Sequence, residues 1–347
     1  MGFIDEIAGQ GKALRDLIEF YRGAGDDLLC RLGHMVSHRT RSITFTGMGT
    51  SEFVPEMIRD YLGDRCLAPV LIQEAGELLH YGMPTIRDND VIVAISQSGE
   101  SIETRRVVEE LRHHAHLVSV TNNQESTMAR LAAVNIPMLA GEEASISTKT
   151  YTNSMGVMLL MSRAFLTEEC GAVLDALDPL ADEMDAFYAG RQDEIRRAAE
   201  HIREAHTAYF ISRGPALAAA KQAALTFQEG THVFTCAIPG GSMRHGPFEI
   251  VGPGHHAVVF ASDGRGGDLL RSMAREMADL GSKVVLFTSR EVPKQPNLLS
   301  ILLRPGDPER FPLACAVPQE LLLHFMAEDR GWTAGIFLRG GKITARE

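Results

Sequence analysis

Apolar residues along this chain fall in short solid runs separated by amphipathic stretches. Val91–Ile95 ("VIVAI") is continuously apolar, as expected of a strand covered on both faces. The polar stretch "SQSGES" follows, and then Ile102, Val107, Val108 and Leu111 recur at helical spacing. "LVSVTN" and "VVLFTS" are further strand candidates, each set between helical patterns. Strand–helix alternation of this kind predicts right-handed βαβ units, that is, parallel sheets with helices on both faces.

The pattern repeats. "SITFTGMGTS" (Ser42–Ser51) and "TAYFISRGPA" (Thr207–Ala216) both read as a strand and a glycine-containing turn, with Gly49 matched by Gly214. "GELLHYG" matches "GSMRHGP", pairing His80 with His245, and "VIVAISQSGE" matches "AVVFASDGRG", pairing Gly99 with Gly264. All three anchors are 165 residues apart and in the same order, which argues for an internal duplication. The expected architecture is α/β with two tandem domains. A helical segment covers 1–34, the first α/β domain 35–165, a helical linker 166–199, the second domain 200–330 and a tail 331–347.

Composition narrows the function. The 347 residues carry a net charge of −11, with no electrostatic footprint for a polyanion, so nucleic acid is not an expected partner. No apolar run reaches the length of a membrane span and no signal peptide opens the chain, which predicts a soluble cytoplasmic protein. The five cysteines are scattered without CxxC spacing and are expected to be reduced, buried thiols rather than a zinc site or a disulfide framework.

The candidate chemistry begins with "SQSGES". Ligands of open parallel sheets sit beyond the C-terminal ends of the strands. There Ser96, Ser98 and Ser101 offer hydroxyl donors, Gln97 an amide and Gly99 a close backbone approach. The loop lacks the lysine of a nucleotide P-loop, so neutral donors point to a sugar phosphate held without magnesium. The competing reading is a capped helix, with Ser98 as N-cap. The second copy has Asp263 where a donor would stand, which assigns the phosphate site to the first copy.

Together, "GMGTS", "ISQSGES", "STKTYT" and "RHGP" resemble the sugar isomerase (SIS) family in tandem, in particular the isomerase half of glucosamine-6-phosphate synthase. The resemblance spans nearly the whole chain and implies two SIS domains, each a parallel β-sheet flanked by helices. It implies a phosphosugar site of Thr50, Ser51, Ser96, Gln97, Ser98 and Ser101, with Ser147 on the sugar. By the same resemblance Glu229 moves a proton between C1 and C2, and His245 assists ring opening in the neighbouring subunit's site. Lys342 forms an imine with the ketose. No cofactor or metal is implied, and a homodimer with shared sites is. Two positions depart from the synthase. Gly2 stands where its glutaminase domain has a cysteine, so glutamine is not expected to supply ammonia, and Thr226 replaces a lysine three residues before Glu229.

Each candidate has a structural alternative. Glu229 closes an alanine-rich helical pattern (Ala218–Phe227) and reads equally as a solvated helix-end carboxylate. His245, before Gly246 and Pro247, reads as an exposed turn histidine, and Lys342 as a basic tail unless "GIFL" and Ile343 dock it. Lys149 is expected to be structural, and His113, His114 and His116 to be surface residues at a helix end. The leading expectation is an aldose–ketose isomerase or deaminase of an amino-sugar 6-phosphate. A fructosamine-6-phosphate deglycase is the alternative, and a phosphosugar sensor without catalysis a third reading.

Overall fold

The computed structural model describes residues 2–66, 68–339 and 341. Two five-stranded sheets are formed, all of whose pairings are parallel. The first contains β1 (Ser42–Gly47), β2 (Val70–Glu74), β3 (Asp90–Ser96), β4 (Leu117–Thr121) and β5 (Val134–Pro137). The second contains β6 (Thr207–Ser212), β7 (Phe234–Pro239), β8 (His256–Ala261), β9 (Lys283–Thr288) and β10 (Leu298–Leu302). Read from the β2 edge the first order is β2-β1-β3-β4-β5, and from the β7 edge the second is β7-β6-β8-β9-β10. The two are the same topology.

The duplication extends to register. Phe45 pairs with Val93 in the first sheet and Phe210 with Val258 in the second, each position 165 residues on. Ile43–Val70 and Ala208–Thr235 correspond in the same way. The β8–β9 pairing departs: Ile92 faces Leu117, whereas Ala257 faces Val284, so the second copy holds two extra residues before β9.

Burial explains the apolar runs. Every residue of β3 is buried, because helices cover both faces of its sheet. On one face Ile92, Ala94 and Leu117 pack with Val108 of the helix Ile102–Glu110. On the other, Phe45 meets Phe165 of the helix Lys149–Phe165, ring centres 6.5 Å apart. In the second sheet Val259, Ala261 and Leu286 pack with Leu270, Met273 and Met277 of the helix Gly267–Asp279. Phe210 lies on the opposite face against Phe227 of the helix Leu217–Thr231, at 4.9 Å.

The chain divides into two compact units that are not contiguous in sequence. One comprises residues 11–143 and 149–181 with the first sheet; the other comprises 2–10, 144–148 and 182–338 with the second. The buried Glu6, in the helix Phe3–Ala8, holds segment 144–148 in the second unit. Its carboxylate accepts from the Ala144 N–H and the Ser145 hydroxyl, both at 2.7 Å. Gln10 donates to Glu320 at 2.6 Å in the same unit.

The cysteines correct one expectation: they are free thiols, but only Cys315 is buried, while Cys30 and Cys236 are exposed. Among the described residues no helix is long and apolar enough to cross a membrane.

Four histidines of the second unit carry a pH consequence. Burial lowers the pKa of His201, His255, His256 and His324. His255 bonds Ser282 Oγ through Nδ1 at 2.9 Å, and its buried Nε2 has no partner among the described residues. The unfolded chain takes up these protons near pH 6.5, while the folded imidazoles resist them until lower pH. Their contribution to stability is therefore intact above about pH 6.5 and lost as pH falls through the folded values. Thermal unfolding between pH 8 and 5 is expected to show a flat Tm followed by a decline, and His255→Gln a shallower decline. Parallel curves for the two proteins would remove His255 from this account.

Candidate functional site

The topology places the candidate residues. β1 and β3 are neighbours, but the chain leaves β1 towards β2 and leaves β3 towards β4. Their outgoing loops diverge, which makes the C-terminal ends of β1 and β3 the ligand position of an open α/β sheet. Thr50 and Ser51 lie in the short helical turn after β1, and Ser96–Ser101 follow β3. Gly47 lets the two loops touch: a Cβ there would fall 2.7 Å from Ser51 Cβ and 2.8 Å from the Ile95 carbonyl oxygen.

Within the second loop the backbone turns at Gly99, whose φ is +66°. A Cβ there would also lie 2.1 Å from Ser126 Oγ, so both conformation and space demand glycine. The Gly99 N–H donates to Ser96 Oγ at 3.2 Å, and the Ser96 hydroxyl donates to Ser101 Oγ at 3.1 Å. Ser98 Oγ accepts from the Glu100 N–H at 3.1 Å. That is a local turn and not a helix cap, which corrects the capped-helix reading. The helix begins at Ile102 with Ser101 at the cap position, and Ser101 makes no side-chain hydrogen bond to it. The leading N–H groups of Ile102–Glu110, which have no intrahelical partner, therefore face the loop beside the serine hydroxyls.

Glu100 is the one acid in this loop, and it is turned aside. Its Oε1 accepts from the Thr127 N–H at 2.6 Å and the same carboxylate lies 3.8 Å from Arg105. What remains in Ser96–Ser101 is neutral hydroxyl, amide and backbone donors at a positive helix end, which suits a phosphoryl group, although the first turn of that helix also buries the Glu103 carboxylate.

Ser147, Thr226, Glu229 and His245 belong to the unit of the second sheet. The helix carrying Glu229 runs on to Thr231, past the expected end at Glu229, and stops where His232 adopts a left-handed conformation, φ +57°. Gly230 is accommodated inside it because Leu323 and Ile146 pack on that position; a Cβ would meet their side chains at 2.8 and 3.3 Å. This contact brings Ser147 and Glu229, the chain neighbours of Ile146 and Gly230, to one locality. Both are half-buried. Thr226 is buried and its hydroxyl donates to the Gln222 carbonyl at 3.1 Å. His245 ends the helix Gly240–Arg244 and is exposed. Lys149 is buried and its ammonium donates to the Glu142 carbonyl, a structural contact. Lys342 lies outside the described residues. Among those residues no group of three or more His, Cys, Asp or Glu side chains is arranged to hold a metal ion.

Sequence reasoning passed over Gly47, Glu100 and Glu6. Gly47 carried a signal, being a glycine at the end of an apolar strand. The other two did not, since a glutamate in a polar loop or an N-terminal helix looks like any solvated carboxylate.

Comparison with known proteins bears on the family and the fold. The SIS domain family model matches residues 38–166 and 201–293. The chain is 28% identical over 304 residues to glutamine–fructose-6-phosphate aminotransferase (isomerizing) of Pyrobaculum aerophilum, covering 84% of this chain and 49% of that protein. It thus spans about half the length of the curated relatives it matches. Its fold is that of the C-terminal domain of glucosamine-fructose-6-phosphate aminotransferase from Francisella tularensis, with a TM-score of 0.83 at 21% identity over 96% of this chain and 97% of that one. Glucosamine-6-phosphate deaminase from Thermotoga maritima shares the fold with a TM-score of 0.72 at 18% identity, over 95% of each chain.

Proposed function

The chain belongs to the SIS domain family, and from that premise we propose that it is an enzyme of phosphosugar chemistry, an isomerase or deaminase of an amino-sugar 6-phosphate. The observation that carries this reading is the loop after β3. Three serine hydroxyls and a helix start whose cap residue makes no side-chain bond to it converge there, while Glu100 is drawn away by the Thr127 N–H.

In the proposed reaction the phosphate sits on Ser96, Ser98, Ser101 and the first amides of Ile102–Glu110, with Gln97, Thr50 and Ser51 beside it. Ser147 contacts the sugar. Glu229 takes the proton from one of the two carbons C1 and C2 and returns it to the other, work that suits a single half-buried carboxylate reaching both. His245, exposed at a helix end, protonates the ring oxygen as the ring opens. Its exposure suits delivery to a neighbouring subunit, and a homodimer is the proposed working form. Lys342 condenses with the open-chain ketose, losing water to form an imine.

A fructosamine-6-phosphate deglycase is the second reading. Thr226, whose buried hydroxyl is taken up by its own helix and offers no amine, suits both readings, since both substrates already bear nitrogen on the sugar.

One experiment separates the two. The protein is incubated with glucosamine 6-phosphate or a fructosamine 6-phosphate, and released ammonia, amino acid and hexose phosphate are measured. A parallel sample is treated with borohydride. Ammonia release with a reduced sugar adduct on Lys342 is the expected result. Amino-acid release without an adduct, and with Lys342→Met still active, would replace it by the deglycase. Turnover of neither substrate class would leave the sensor.

A further inference from the structure

The second sheet has the same switch point as the first, between β6 and β8, and its loops are built differently. Arg213 takes the place of Met48 at the end of the inner strand, 165 residues on, and "SDGRGG" replaces "QSGESI". Read as sequence, Asp263 disqualifies this loop from holding an anion. The structure shows what stands beside that carboxylate. Asp263 has cations beside it: its Oδ1 lies 2.5 Å from Arg290 Nε and 4.0 Å from Arg271, contacts of opposite charge without hydrogen-bond geometry. The other carboxylate of the loop, Asp268, is held by Arg271 at 2.7 Å, and Arg271 also donates to the carbonyls of Ala261 and Ser262.

Arg213 is left over. It is half-buried, its Nε is fully buried, and it has no hydrogen-bond or ion-pair partner among the described residues. An unpartnered buried guanidinium nitrogen is costly, and a fold keeps one where something else satisfies it. The packing holds the side chain in place. A Cβ on Gly240 would strike Arg213 Nε at 2.9 Å, one on Gly241 would reach its terminal nitrogens at 3.5 Å, and one on Gly266 its Cδ at 3.1 Å. Three glycines thus form a slot around this one arginine. The helix Gly267–Asp279 starts at the same place, and its cap residue Gly266 makes no side-chain bond to it. Arginines 213, 271 and 290 stand here against aspartates 263 and 268, on a chain whose net charge is −11.

We propose that the second switch point is an anion site of its own. It takes a dianionic phosphomonoester, with the Arg213 guanidinium as the principal ligand and the Asp268 and Leu269 amides of Gly267–Asp279 beside it, the Gly267 N–H being taken by the Gly264 carbonyl. Arginine's planar fork is suited to two parallel bonds to phosphate oxygens. The site is independent of the Ser96–Ser101 loop, so a chain with both can bind two phosphoryl groups and is open to control by a phosphorylated metabolite other than its substrate.

The test uses the full chain carrying Ser98→Asp, which blocks the first loop. Titration calorimetry with inorganic phosphate and, separately, glycerol 3-phosphate is expected to show one site per chain, with glycerol 3-phosphate the tighter if a phosphomonoester is the ligand. Equal affinity would point to free phosphate as the occupant. Adding Arg213→Met should weaken binding at least tenfold. Adding Asp263→Asn instead should tighten it severalfold by releasing Arg290, a gain that a damaged fold would not produce. Binding unchanged by Arg213→Met, weaker binding with Asp263→Asn, or no binding in Ser98→Asp overturns the proposal. If Ser98→Asp retains every site of the wild type while Arg213→Met loses one, the phosphate reading of the Ser96–Ser101 loop fails and this one stands.

Discussion

Glu229→Gln is expected to lower kcat by about a thousandfold, within the range for removal of a general acid–base group, with little change in KM. The amide keeps the size of the side chain but cannot accept the proton. Position argues for function over stability. Glu229 stands in the last turn of Leu217–Thr231, where the helix end is negative and a carboxylate is disfavoured by about 0.3–1 kcal/mol. Helix stability alone would place a lysine or arginine there. Steady-state kinetics on the substrate found by product analysis gives the measurement, with thermal unfolding as the control for an intact fold. Activity within tenfold of wild type would exclude Glu229 as the base. The same variant tests subunit sharing: mixed with His245→Ala chains, it should regain part of its activity only if the two residues serve one site from different subunits.

Ser98→Asp should cost at least a hundredfold in affinity for a hexose 6-phosphate. Two unit charges about 4 Å apart repel by about 4 kcal/mol at the effective dielectric of a protein surface, and a phosphomonoester carries nearly two. The fold should tolerate the change, because aspartate still offers an oxygen to the Glu100 N–H that Ser98 now satisfies. Calorimetric titration decides, and EDTA should not alter the wild-type curve. Equal affinities for variant and wild type would mean that the serines only shape a turn.

The features that sequence made legible are those with local periodicity. Solid apolar runs marked the buried strands, and the 165-residue spacing anticipated the paired registers of both sheets. The later arrival of β9 is legible too, since "VVLFTS" follows "LVSVTN" at slightly more than the spacing of the other anchors. What escaped depends on distant partners. Gly230 looked like a helix end, and only Leu323 and Ile146 packing on it explain why the helix continues. "SQSGES" was legible as a site, but not which serine would stand at the head of the helix, since several residues in a row can cap. The Asp263 carboxylate looked hostile to anions because the cation beside it, Arg290, lies 27 positions away. Nothing in the pattern of Phe3–Ala8 says that Glu6 fastens residues 144 and 145.

That fastening has a consequence for synthesis. The helix Phe3–Ala8 belongs with the helix Phe311–Asp329, about 300 residues later. At about 5–20 residues per second a ribosome needs roughly 15–60 s to close that gap. The unit of the first sheet has all its strands by residue 137 and the last of its packed helix by 181, so it can close early in translation. Phe3 and Ile7, made sooner, must wait for partners that do not yet exist. Throughout that interval they are apolar surface on a nascent chain, open to a chaperone.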